Sequence, residues 1–176
     1  MRPMFSSGLS LILFVAVLAL GATTGPNTWA DDEKRISETR KTFSEKDAKG
    51  PYGFSFDGFS IDRDSGATNP ISAVGQLTGD GRGRVTGGVR TLNLGGQVLL
   101  QTIKGAYEVN PDGTGVARLE VSTLFDGAEI PFSVETFSFV INSPRNELQF
   151  VSTSITDPVG GDLDTLLVTR GVARRQ

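Results

Sequence analysis

The 176-residue sequence contains no cysteine and no histidine. Without cysteine the chain forms no disulfide and offers no thiol for lipid attachment, so its stability must come from packing. The two absences together exclude Ser-His-Asp and Cys-His nucleophile systems, histidine-based zinc sites and thiol redox chemistry. Tryptophan occurs once, as Trp29, and tyrosine twice. Neither charge sign dominates: 17 Lys and Arg stand against 20 Asp and Glu, and the basic residues are scattered rather than gathered on one segment. That distribution argues against a nucleic-acid partner. The apolar run from Leu9 to Leu20 has 12 residues, where a membrane-spanning helix needs about 20.

What is present begins with that run. Arg2 precedes it, and small and turn-forming residues ending in Thr28-Trp29-Ala30 follow it. This is the charged start, apolar centre and small-residue exit of a secretory signal peptide, so residues 1–30 are expected to be cleaved after Ala30, with Ala19-Leu20-Gly21 as a second exit. The protein is expected to be exported, periplasmic or secreted, with no stable membrane insertion after cleavage. Removing the first 30 of 176 residues leaves 146, the size of one domain with a full core. Residues 31–50 are densely charged, with Ile36 and Phe43 as their large apolar groups. They read as a flexible or marginally helical extension ended by Gly50-Pro51; a lid over a barrel mouth is the sharper alternative.

From Tyr52 the composition turns to β-branched and aromatic residues broken by glycine-rich turns. Eight strands are expected, over 52–61, 71–78, 83–92, 97–109, 115–125, 130–141, 146–155 and 164–174. Gly79-Asp80-Gly81, Pro111-Asp112-Gly113, Asp126-Gly127 and Ser143-Pro144-Arg145-Asn146 supply short turns. Short hairpins place each strand beside the preceding one, and closing the last strand onto the first removes both sheet edges. The expected fold is therefore all-β: an eight-stranded antiparallel up-and-down barrel over 51–176.

Alternation indicates the inward face. In the fourth strand Leu99, Ile103, Tyr107 and Val109 oppose Thr102, Lys104 and Glu108, and in the fifth Leu119 and Val121 oppose Arg118 and Glu120. The same reading turns inward Tyr52, Phe54 and Phe56; Ile130, Phe132 and Val134; Leu148 and Phe150; and Leu166, Val168 and Val172. The sixth strand then changes parity, because Phe137, Phe139 and Ile141 continue one residue out of step, which implies a bulge or burial on both faces. Glu108, Glu120 and Glu135 fall on the water-facing parity, leaving no buried carboxylate pair for acid-base catalysis. The reading leans away from an enzyme.

Two glycine-rich turns resemble binding motifs. Gly81 to Gly87 misses the dinucleotide fingerprint by one residue and opens a strand instead of a helix. Asp80-Gly81 and Asp112-Gly113 lack the alternating carboxylates of a calcium loop. Both are hairpin turns, and no metal or cofactor is implied. Three polar residues on inward parity remain as candidate ligand-binding groups: Gln101, Tyr107 and Arg170, the last between Val168 and Val172.

The eight-stranded meander, the opening Tyr52-Gly53-Phe54-Ser55-Phe56 and the turn from Tyr107 to Gly115 resemble small exported bacterial barrels of unassigned function, which look like calycin (lipocalin-type) and allene oxide cyclase-type barrels. The lipocalin Gly-x-Trp signature is absent, since Trp29 leaves with the signal peptide, so the resemblance assigns no functional residue. The function expected is a binding module whose lumen holds a small apolar or amphipathic molecule. The alternative is a structural barrel with a filled core that self-associates as a homo-oligomer through outward Leu100, Val140, Val151 and Leu167. A cyclase- or isomerase-type enzyme is the third reading.

Overall fold

Alternating strands joined by tight turns close on themselves in the computed structural model, which describes residues 42–142 and 146–176. The expected signal peptide, residues 31–41 and most of the Ser143–Asn146 turn lie outside the described residues. Eight antiparallel strands follow in chain order: β1 (Gly50–Asp62), β2 (Thr68–Gly79), β3 (Arg84–Leu94), β4 (Gln97–Val109), β5 (Thr114–Phe125), β6 (Ala128–Asn142), β7 (Glu147–Thr156) and β8 (Thr165–Arg175). Each pairs with its predecessor, and β8 pairs with β1 to complete a closed barrel. The closing ladder sets Phe54 opposite Ala173 and Asp62 opposite Thr165. The hairpins use the chemistry their residues supply: Asp126 and Gly127 take φ of 48° and 81°, the left-handed pair of a tight two-residue turn. Asp80 turns its carboxylate onto its own loop, accepting from the Arg82 and Arg84 N–H groups at 2.7 and 3.0 Å, and those bonds hold its pKa below the ordinary value.

Much of the lumen is occupied by large rings, each set opposite one of the smallest residues. Phe54 stands opposite Gly75 and Phe56 opposite Ala73; Phe137 faces Ala117 and Phe139 faces Gly115; Phe150 faces Gly171. Eight strands enclose only enough space for side chains or one small ligand, so a ring on one strand requires its neighbour to give up volume. Phe54 and Phe56 stack, while Phe150 meets Phe56 and Phe137 edge-on.

This complementarity overturns the expected parity of β8. Its inward residues are Leu167, Thr169, Gly171 and Ala173, whereas Leu166 and Val168 are exposed and Val172 is only partly covered. Rings from β1 and β7 already occupy the lumen there, so the inward face of β8 is small and its larger apolar residues point out. Arg170 therefore faces solvent, with Asp57 and Val151 as its cross-strand neighbours. Leu167, expected outside, packs against the core.

The first half of β6 is corrected in the same way. Val121 pairs with Ser133 and Ser122 with Pro131, so Phe132 is an extra residue, a β-bulge. Ile130, opposite Thr123, and the bulged Phe132 are exposed, while Ser133, Glu135, Phe137 and Phe139 point inward. Val134 is buried as well, so the strand combines a bulge with three consecutive buried residues.

Candidate functional site

Parity carries two opposite charges into the lumen. On β3, Arg90 shares the inward side with Leu92, and on β6 the bulge turns Glu135 inward; they are 4% and 2% exposed. Neither group can be left alone there, because an unpaired buried ion is strongly unfavourable. They meet as a fork: Arg90 Nη1 donates to Glu135 Oε2 at 2.8 Å and Nη2 donates to Oε1 at 2.6 Å. Arg90 Nε donates to Gln101 Oε1 at 2.7 Å, and Gln101 Nε2 donates to Thr123 Oγ1 at 3.2 Å. Ser133 Oγ adds a bond to Glu135 Oε1 at 3.1 Å. The guanidinium carbon lies 5.6 Å from the centroid of the Phe56 ring, within cation–π range. Strands β3, β4, β5 and β6 are thereby linked by side chains inside the barrel as well as by their ladders.

Above this network lies an apolar cavity of about 80 Å³, bounded by rings of β1, β4 and β6, with Arg90 at its deep side and Ala48 at the mouth. Ala48 belongs to residues 42–49, which cross the barrel mouth as a plug. A single 3-10 turn, Glu45–Ala48, is started by Ser44 and Asp47, whose groups bond reciprocally as a capping box. The plug is fastened by a set of hydrogen bonds, with Ala48 packed into the core. Tyr107 Oη accepts from the Gly81 N–H at 2.9 Å and donates to the Glu45 carbonyl at 3.2 Å. Tyr52 Oη and Arg175 Nη2 donate to the Asp47 carbonyl at 3.4 and 2.6 Å, and the Phe43 N–H donates to the Pro111 carbonyl at 3.1 Å. Ala48 is the plug's one buried residue. Gly79 makes room for it, since a Cβ there would stand 2.4 Å from the Ala48 carbonyl oxygen.

Of the three candidates taken from the sequence, two lie inside. Gln101 is 1% exposed and belongs to the Arg90 network, and Tyr107 lines the cavity and latches the plug. Arg170 does not join them and is excluded from the lumen by the parity of β8. Burial pushes the Tyr107 phenol above its ordinary pKa of 10. Arg90 was open to the same parity test as Gln101, being flanked at two-residue spacing by Gly88 and Leu92. Glu135 was hidden by the bulge, which makes it appear water-facing.

Glu108 and Glu120 are exposed, as expected, Glu135 spends both oxygens on Arg90, and among the described residues lining the cavity there is no carboxylate. Among the described residues no cluster of acidic side chains forms a metal-holding group. Compared with known proteins, the sequence matches no family model and no curated protein.

Proposed function

We propose that the protein is an exported binding module whose barrel lumen takes up a small apolar or amphipathic molecule when the plug of residues 42–49 swings aside. The observation that carries this reading is the apolar cavity directly beneath a segment held by several hydrogen bonds and by one buried side chain, Ala48. At about 80 Å³ the closed cavity is well below the roughly 300 Å³ at which small-molecule pockets begin, so entry of anything beyond a few heavy atoms requires the plug to yield. Exchanging plug bonds for bonds to water costs little, about 0.5–1.5 kcal/mol each, whereas displacing packed rings would cost several times more.

The test is a titration of the mature protein with 4-fluorotoluene, followed by the methyl signals of Val85, Ile103 and Leu119. Saturable shifts there, with Val74 and Val98 on the outer face unchanged, support the reading. Ala48→Leu, which puts a side chain into the cavity from the plug, should abolish them. Shifts confined to the outer face would defeat it. Export is checked separately by N-terminal sequencing of extracytoplasmic material, where a retained Met1 would be decisive against cleavage.

A second reading rests on the outer wall. Leu100, Val140 and Val151 are exposed, as are Phe59 and Val168, which pair across the β1–β8 seam. Such patches favour self-association; sedimentation that stays monomeric to millimolar concentration would remove it.

A further inference from the structure

The polar floor of the lumen constrains the charge of what the lumen accepts. Among the described residues Arg90 is the one ionic group lining the cavity, and on its own it would invite a carboxylate or phosphate head. Its charge is already met: both Glu135 oxygens lie within hydrogen-bond distance of its two terminal nitrogens, and both side chains are buried. Three of its five N–H groups are committed, two to Glu135 and one to Gln101. An entering anion would compete with a bidentate partner already in place and would bring a second negative charge beside Glu135. An entering cation would meet the guanidinium and find no anionic group among the described residues lining the cavity.

We infer that the lumen selects uncharged ligands, and that Glu135 is the residue that sets this selectivity by neutralising Arg90. The inference rests on the binding reading above and assigns the chemical class of its ligand: a compact neutral molecule such as a small ring or a short-chain ketone, not a fatty acid or a phosphate ester.

Three probes of nearly one shape separate charge from size: neutral 4-fluoronitrobenzene, anionic 4-fluorobenzoate and cationic 4-fluorobenzylammonium, each followed by fluorine NMR against the mature protein. The neutral probe should bind more tightly than either ion by roughly tenfold or more. In Glu135→Gln the uncompensated guanidinium should bring 4-fluorobenzoate level with the neutral probe or ahead of it. Should that variant fail to fold, the wild-type protein still decides, because 4-fluorobenzoate binding should strengthen as the pH falls through the probe's own pKa of about 4 and it becomes neutral. Equal binding of the nitro compound and the benzoate at neutral pH would overturn the selectivity while leaving lumen binding intact. A folded Glu135→Gln that still rejects the benzoate would remove Glu135 from the role. Binding of none of the three would overturn the binding reading itself, and the selectivity with it.

Discussion

Arg90 and Glu135 reach each other from β3 and β6, strands separated by two others, and join through two bonds of 2.8 and 2.6 Å inside the barrel. The pair is cross-barrel bracing, and its energetics are asymmetric. Desolvating two ions costs nearly as much as their attraction returns, but removing one partner strands the other. Arg90→Met or Glu135→Met alone should lower stability by about 3–5 kcal/mol, while the double Met variant should recover most of the loss. Urea unfolding of the four proteins measures the coupling; additive losses would show that the two residues act independently.

The ring-to-glycine fit makes a second prediction. At Gly171 an added Cβ would stand 2.4 Å from Phe150 Cζ and 2.5 Å from the Ser55 carbonyl oxygen. One of these neighbours is backbone and cannot rotate away. Gly171→Ala should therefore destabilise the barrel by about 1–3 kcal/mol, the scale of overpacking, although alanine is ordinarily the better residue in a strand. Gly87, with nothing near its missing Cβ, serves as the control, and Gly87→Ala should cost much less by the same unfolding assay.

The same fit explains where the sequence was legible. Strand number, order and closure follow from turn chemistry, and all eight observed strands overlap their expected ranges. The inward faces of β1, β4, β5 and β7 are also legible, because there the larger apolar residues share one parity and that parity is the core. It fails on β8, where Leu166, Val168 and Val172 point out while Leu167 packs inward. Volume on that strand is set by Phe56 and Phe150 on its neighbours, information that alternation within one strand does not contain. In β6 the failure is local: one bulge at Phe132 shifts the parity of the strand, which turns Ser133 and Glu135 inward and disguises Glu135. Gln101 and Tyr107 were legible as inward polar groups, but Gln101 is explained by Arg90 directly opposite it on β3, whose own partner Glu135 lies on the non-neighbouring β6. The plug over the mouth was foreshadowed only as an alternative, since a charged segment with Phe43 as its apolar anchor shows no periodicity.

Thr169 offers a substitution expected to stabilise. It is 5% exposed, and its Oγ1 has no hydrogen-bond partner among the described residues, although its N–H donates to Ser152 Oγ at 3.0 Å. Thr169→Val keeps the branched shape and removes the unmatched hydroxyl, so it should raise stability by about 1 kcal/mol. The midpoint of urea unfolding reads the change. A loss of stability would mean that the hydroxyl is satisfied in solution, by water inside the barrel.

Tyr107 links plug, pH and stability. Its hydroxyl accepts from the Gly81 N–H, which is buried, and donates to the Glu45 carbonyl. Tyr107→Phe leaves that N–H unmatched and should cost about 1–2 kcal/mol near neutral pH. It should also speed hydrogen exchange of the amides at 43–49, because the plug loses its latch. The pH dependence separates this role from a packing effect. Burial raises the folded-state pKa above 10, so as the pH climbs past 10 the unfolded chain releases the phenolic proton first. The folded protein then holds more protons than the unfolded one, and stability falls with rising pH across the interval between the two pKa values. Below 10 this contribution is flat. Urea midpoints measured from pH 8 to 11 should therefore fall for the wild type above pH 10, while Tyr107→Phe should decline less steeply over the same range. Parallel slopes in the two proteins would show that the Tyr107 phenol titrates as freely in the folded barrel as in the unfolded chain, and would break the link between its burial and the latch.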